Sequence, residues 1–323
     1  MSREADLDPL ETRRVGRTSL SVTRLGLGGA GLGNEYHPIT DAEADATIRE
    51  AIELGLRYVD TAPLYGRGTS EKRLGQYFAT HGRPTGLVLS TKVGRVIQQE
   101  SVMELQPLHD YTEEGVRKSF EGSLKRLGPG AADILYIHDP DAHYQEAISQ
   151  AYPTLAELRA TGMVKAIGAG MNQWEMELRF AQEGDFDCFL QAGRYNLLDQ
   201  SASEQFLPYC QERKIGAMIG APFGYGLLAA DLRRGALPRT SVPLKMVEKA
   251  LRIDAVCARH DVPLKAAALQ FILAHPVVTS VIPGSQSGEE MRQNFEMLRY
   301  HIPRTLWDDL KHEKLILESA PTP

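Results

Sequence analysis

Eight short β-rich runs alternate with amphipathic helical stretches along nearly the whole chain, and no other feature of the sequence limits the fold as strongly. The runs are LGLGG (25–29), RYVDTA (57–62), LVLSTKVG (87–94), DILYIH (133–138), VKAIGAG (164–170), DCFLQAG (187–193), IGAMIGA (215–221) and VVTSVIPG (277–284). Helical periodicity occupies 41–55, 70–80, 112–127, 145–161, 174–183, 201–213, 244–259 and 288–299. In the first of these, Asp41 is the expected N-cap and Gly55 the stop. Alternation of strand and helix predicts a parallel sheet, and eight is the number of strands that closes one. A single α/β (β/α)8 barrel domain over all 323 residues follows. A β-hairpin at 13–23, turning at Gly16-Arg17, precedes the repeat, and residues 1–12 and 316–323 read as flexible tails.

An open doubly wound sheet is the alternative. The glycines of the first run, Gly26, Gly28, Gly29, Gly31 and Gly33, lack the G-x-G-x-x-G helix entry and acidic strand end that such dinucleotide-binding sheets require. Alone they mark a crowded turn. The connections 95–111 and 222–243 exceed ordinary βα loop length and leave from the strand ends where barrel chemistry sits, so they are candidate covers for ligands.

Hydrophobic residues at 42% and charged residues at 24% describe a globular chain with enough apolar side chain for a large core. A net charge of −6 without a Lys/Arg run leaves no electrostatic footprint for nucleic acid, so the expected partner is a small molecule. Cys188, Cys210 and Cys257 form neither a C-x-x-C pair nor an even set, so disulfides and zinc are not indicated. The start, MSREADLDPLETRR, is polar, and no apolar stretch approaches membrane-spanning length; a cytoplasmic protein without a membrane partner is expected.

The chemistry-bearing residues stand at strand ends. Asp60, Lys92 and His138 close the second, third and fourth runs, each after a largely apolar stretch, where a barrel points side chains into its mouth. Five residues beyond Asp60, between Pro63 and Gly66, comes Tyr65. A phenol with a reference pKa of about 10 is an acid toward a carbonyl and becomes a base only when a cation lowers that value. Lys92 is the expected cation, Asp60 its partner, and His138 the group that orients a substrate oxygen.

These residues, with Tyr65-Gly66, Ser70-Glu71, Leu74-Gly75, Ser90-Thr91-Lys92, Tyr136-Ile137-His138 and Ile282-Pro283-Gly284-Ser285 in order, resemble the pattern of the aldo-keto reductase superfamily over nearly the whole chain. The resemblance implies Tyr65 as general acid/base supported by Asp60, Lys92 and His138, and an extended NAD(P) across the strand ends without a Rossmann fold. Cofactor contacts are expected from Gly29, Asn172, Gln191, the loop residues Pro222, Phe223, Gly224, Gly226 and Leu227, and Gly284, Ser285, Ser287 and Asn294. The family's aromatic platform for the nicotinamide is replaced by Gly220, which leaves Phe223, Trp174 or Tyr195 to cover the ring. Substrate contacts are expected from Trp174, Arg95, His109 and Tyr111.

NADP-preferring relatives carry a Lys or Arg after the eighth strand's Ile-Pro; here no cation precedes Arg292, and Glu289 and Glu290 would repel a 2′-phosphate. NAD is therefore the expected cofactor, with NADP as the other possibility. The run His138–Asp139–Pro140–Asp141–Ala142–His143 suggests a metal site in isolation, but neighbouring strand ends offer Lys92 and Thr61 rather than ligands, so no metal is expected. The blend of YIHDPD, IGAGMNQW and QAGRYNLLDQ resembles the branch that oxidises aldoses such as L-fucose at C1, or pyridoxal to its lactone. General aldehyde or ketone reduction and a nicotinamide-binding regulatory subunit are the competing functions.

Overall fold

The computed structural model describes residues 7–96, 108–235 and 242–323. Eight parallel strands follow the expected runs: β1 Leu27–Gly28, β2 Tyr58–Asp60, β3 Val88–Val93, β4 Ile134–His138, β5 Ala166–Met171, β6 Cys188–Ala192, β7 Gly216–Gly220 and β8 Val278–Ile282. Each pairs with its sequence neighbours, and bridges Leu25↔Val281 and Gly28↔Gly284 join the last strand to the first. The ring closes through Gly26 N–H to Val281 O (3.0 Å) and Gly28 N–H to Pro283 O (3.0 Å). An open sheet is thereby excluded.

Period-two alternation splits each strand between two cores. Val59, Leu89, Leu135, Ile167, Phe189, Ala217, Ile219 and Val281 face the helical layer, whereas Tyr58, Val88, Ile134, Tyr136, Cys188, Leu190, Met218 and Ile282 fill the barrel. The predicted hairpin forms, with Thr12–Arg14 antiparallel to Ser21–Thr23, and its Val15, Leu20 and Val22 join the inner cluster. The inner rows 58–60, 88–90–92 and 134–136–138 therefore end at Asp60, Lys92 and His138. Strand alternation alone delivers these three side chains to one mouth.

The helices are α1 Asp41–Glu53, α2 Thr69–His81, α3 Glu113–Leu127, α4 Tyr152–Ala160, α5 Trp174–Glu183, α6 Phe206–Arg213, α7 Leu244–Arg259, α8 Leu264–Ala274, α9 Gly288–Leu298 and α10 Arg304–His312. The cap of α1 is Thr40, not Asp41. Its hydroxyl accepts from Glu43 N–H, and the Glu43 carboxylate accepts from Thr40 N–H, a reciprocal capping box. The helix expected at 145–161 contains a π turn, Ala147–Ala151, ahead of Pro153, whose missing N–H breaks the regular ladder. The sequence reading missed α8 because nine of its eleven residues are buried, so it has no polar face to generate a helical period. It also missed α10, and the chain beyond 316 is not a free tail, since Ile316 and Ala320 are buried. Likewise Arg24 N–H and Leu25 N–H bond to Glu11 O and Pro9 O, tying residues 9–11 to the barrel. Residues 1–6, the centre of loop 95–111 and part of loop 222–243 lie outside the described residues. Among those described, no helix is long and apolar enough to cross a membrane.

Candidate active site

Lys92 is the hub of the mouth. Its Nζ donates to Asp60 Oδ2 (2.6 Å), to Thr61 O (2.8 Å) and to Tyr65 Oη (3.3 Å), and lies 4.8 Å from the Tyr65 ring centroid. Lys92 and Asp60 are almost wholly buried. Burial opposes the ammonium charge, but Asp60 and Tyr65 outweigh it and hold Lys92 above the ordinary lysine range. The second Asp60 oxygen accepts from Ser90 Oγ (2.6 Å), two residues before Lys92 on the same inner face. Tyr58, Tyr136 and Cys188 continue this polar chain into the barrel interior, through contacts of 3.1, 3.3 and 3.5 Å.

Tyr65 is carried by the loop after β2, and two glycines fix that loop against the turn after β1. A Cβ on Gly33 would lie 2.5 Å from the Tyr65 carbonyl carbon, and one on Gly66, at φ +59°, 2.1 Å from Gly33 O. Of the glycines that read as a crowded turn, Gly33 is thus the one that seats the Tyr65 backbone. Buried Arg73 completes the seat by donating to Leu32 O (2.7 Å) and Ile39 O (2.8 Å). Burial raises the Tyr65 phenol above 10 and prevails over the lowering pull of Lys92. Lys92 lowers the phenol as expected, but desolvation is the larger effect.

The His138 ring stands edge-on to Tyr65 at 6.0 Å between centroids. Burial, followed by Lys92, Arg95 and His109, depresses its pKa well below 6.5, so the imidazole is neutral at neutral pH. Its buried Nδ1 has no hydrogen-bond partner among the described residues. Behind it, Tyr111 is fully buried and its hydroxyl donates to His138 O (2.6 Å) and Asp139 O (2.8 Å). Tyr111, expected at the substrate, instead braces the end of β4. Arg95 pairs with Asp139 (2.5 Å), itself 3.6 Å from His138 Nε2, and His109 packs near His143 at 5.1 Å. His143 also faces Glu146 at 3.7 Å, and among the described residues no three His, Cys, Asp or Glu side chains converge as metal ligands.

A groove of about 560 Å³ runs between the loops after β7 and β8. Of the residues expected at a dinucleotide, Pro222, Phe223, Gly224, Gly226, Gly284 and Asn294 line it. Asn294 Nδ2 donates to Ser285 Oγ (3.1 Å), while its buried Oδ1 has no partner, leaving an acceptor for a ligand N–H. Tyr36 overhangs Gly284, where a Cβ would lie 2.2 Å from the Tyr36 hydroxyl. These features fit an extended dinucleotide.

The other expected contacts lie elsewhere. Gly29 packs its backbone on Asp60, its N–H donating to Asp60 O (2.7 Å). The Asn172 amide donates to Ala192 O (2.8 Å), and Gln191 joins Asn172 O (3.0 Å) and Arg194 N–H (2.9 Å), so both amides tie β5 to β6. Leu227 is buried, and the hydroxyls of Ser285 and Ser287 bond within their own segment. Trp174 opens α5, partly buried against the outer core. Tyr195, proposed to cover a nicotinamide, is buried and stacked on Phe271 at 5.4 Å, so it cannot do so. The sequence reading missed Tyr36, His37, Lys265 and Gln286 as groove residues; they come from three separate segments and share no motif.

The aldo/keto reductase family model matches residues 24–312. Pyridoxal 4-dehydrogenase of Microbacterium luteolum is 37% identical, the match covering 95% of this chain and 98% of that protein. D-threo-aldose 1-dehydrogenase of a Pseudomonas species is 38% identical, over 94% of this chain and 96% of the relative. Among solved structures, the holo form of an aldo-keto reductase from Bacillus halodurans superposes with a TM-score of 0.80 at 23% identity, covering 96% and 99% of the two chains, a likeness of fold. The ordered motifs and these full-length similarities agree: the chain belongs to the aldo/keto reductase family and is an NAD(P)-dependent oxidoreductase.

Proposed function

We propose that this oxidoreductase converts the cyclic hemiacetal carbon of a small substrate to a lactone, with C1 of an aldose such as L-fucose as the first choice and NAD as cofactor. The observation that carries the reading is the contact of Lys92 Nζ with both the Asp60 carboxylate and the Tyr65 hydroxyl. The similarity to D-threo-aldose 1-dehydrogenase supports the sugar, and the comparable similarity to pyridoxal 4-dehydrogenase supports pyridoxal as the second candidate. Both names fit one chemistry, because the aldehyde of each compound closes on its own hydroxyl to a hemiacetal.

When bound, a nicotinamide ring supplies the acceptor for the hydride. Tyr65 takes the proton from the hemiacetal hydroxyl as the C–H bond releases its electron pair as hydride, leaving the lactone carbonyl. Lys92 favours the phenolate needed for that step, and Asp60 keeps Lys92 charged inside the barrel. Neutral His138 holds the substrate oxygen beside Tyr65. Arg95 and His109 border the mouth as candidate partners for ring hydroxyls. Lining of the groove by Glu290 favours NAD over NADP, since a 2′-phosphate would meet like charge. The direct test follows NADH absorbance with L-fucose, other aldoses and pyridoxal, each with NAD and NADP. Turnover of an aldose with NAD is expected. Turnover of pyridoxal alone replaces the sugar, and no turnover with any of them refutes the dehydrogenase assignment.

A further inference from the structure

Lys265 stands near the start of α8, a helix with no recognisable motif, yet it lines the groove described above and is the one Lys or Arg among the described lining residues. Its Nζ lies 5.6 Å from the Phe223 ring centroid. Among the described residues no carboxylate lies within ion-pair distance of it, although Glu290 lines the same groove. Burial lowers its pKa, so the site holds a partly dehydrated cation that an anion would satisfy.

The backbone facing it is unusual. Gly224, Tyr225 and Gly226 all have positive φ, at +46°, +58° and +85°, and Ala221 adds another at +48°. Non-glycine residues in this region store strain that clusters at ligand clamps, and Gly224 and Gly226 line the groove without side chains of their own. Glu290 accepts from Gln286 N–H (2.8 Å) and is thereby held in the lining of the same groove, where it repels a second anionic group. A cation and a glycine-rich backbone in one groove suit a compact anion, and the carboxylate in the same lining suits one joined to a neutral sugar and base.

We infer that Lys265 is the cation that binds the pyrophosphate of the dinucleotide. The inference rests on the placement of the cofactor in this groove under the proposed function. It assigns the phosphate charge to a residue outside the segment after the eighth strand, where Gly284 supplies none.

The test titrates NADH, NADPH, ADP-ribose and adenosine against the wild-type protein, Lys265→Met and Lys265→Arg, by protein fluorescence or calorimetry at several salt concentrations. Thermal melts establish that each variant is folded. Lys265→Met is expected to weaken NADH and ADP-ribose roughly tenfold, as for loss of one charged hydrogen bond, to leave adenosine unchanged, and to flatten the salt dependence. Lys265→Arg should recover most of the affinity. Unchanged NADH and ADP-ribose binding in Lys265→Met overturns the inference, as does a loss confined to NADPH, which would place Lys265 at a 2′-phosphate. If the wild-type protein binds neither NADH nor ADP-ribose, the cofactor placement fails and the inference falls with it.

Discussion

Asp60 and Lys92 form a buried ion pair at 2.6 Å, with side chains 3% and 2% exposed, and such a pair responds differently to loss of one partner and loss of both. Asp60→Asn leaves an ammonium with only neutral acceptors, Thr61 O and the Tyr65 hydroxyl. Lys92→Met leaves a carboxylate held only by Ser90. Each single change should cost about 3–5 kcal/mol, the usual penalty for an uncompensated buried charge. The double variant removes both charges and should cost less than the sum by about 2–3 kcal/mol. Urea denaturation at pH 7 measures all four proteins. In the wild type, Lys92 is raised above its unfolded value of about 10.4, so its contribution is complete below that pH and is lost as pH rises through the folded value. In Asp60→Asn the folded value should fall instead, so the unfolded state binds the extra proton and the deficit shrinks as pH approaches about 10. Additive single costs, or a deficit identical at pH 7 and pH 10, would refute the coupled-pair account.

Four further outcomes follow from the mouth. Tyr65→Phe should lower turnover by about 10²–10⁴-fold, the range for one acid/base group, with NADH binding retained. In the wild type, kcat/KM for oxidation should still be climbing at pH 10, because burial holds the phenol above its ordinary value and the base form is the deprotonated one; a plateau below pH 8 contradicts Tyr65 as the base. Gly33→Ala would push a methyl into the Tyr65 carbonyl, and a shift of about 1 Å there is expected to cost on the order of 10² in kcat, measured beside a melt. Tyr111→Phe strips a donor from His138 O and Asp139 O; it should cost about 1–3 kcal/mol and lower kcat, and equal stability in denaturation would contradict the bracing role.

The barrel and three of its central residues, Asp60, Lys92 and His138, were legible in the sequence because both are local properties, while Tyr65, on the loop after β2, was marked by its place in the family motif. A strand's period of two and a helix's period of 3.6 are written residue by residue, and a polar side chain ending an apolar strand is visible without neighbours. The order Asp60, Tyr65, Lys92, His138 thus predicted a common mouth that the fold provides. Helix α8 was illegible because a helix buried on all sides carries no period. What only the tertiary structure decided depends on distance in space and on solvent. The excess of burial over cation at Tyr65, the retreat of Tyr111 and Tyr195 into the core, and the arrival of Lys265 beside Phe223 all join segments far apart in the chain. Desolvation and charge act through the surroundings of an atom, and those surroundings exist only once the barrel has closed.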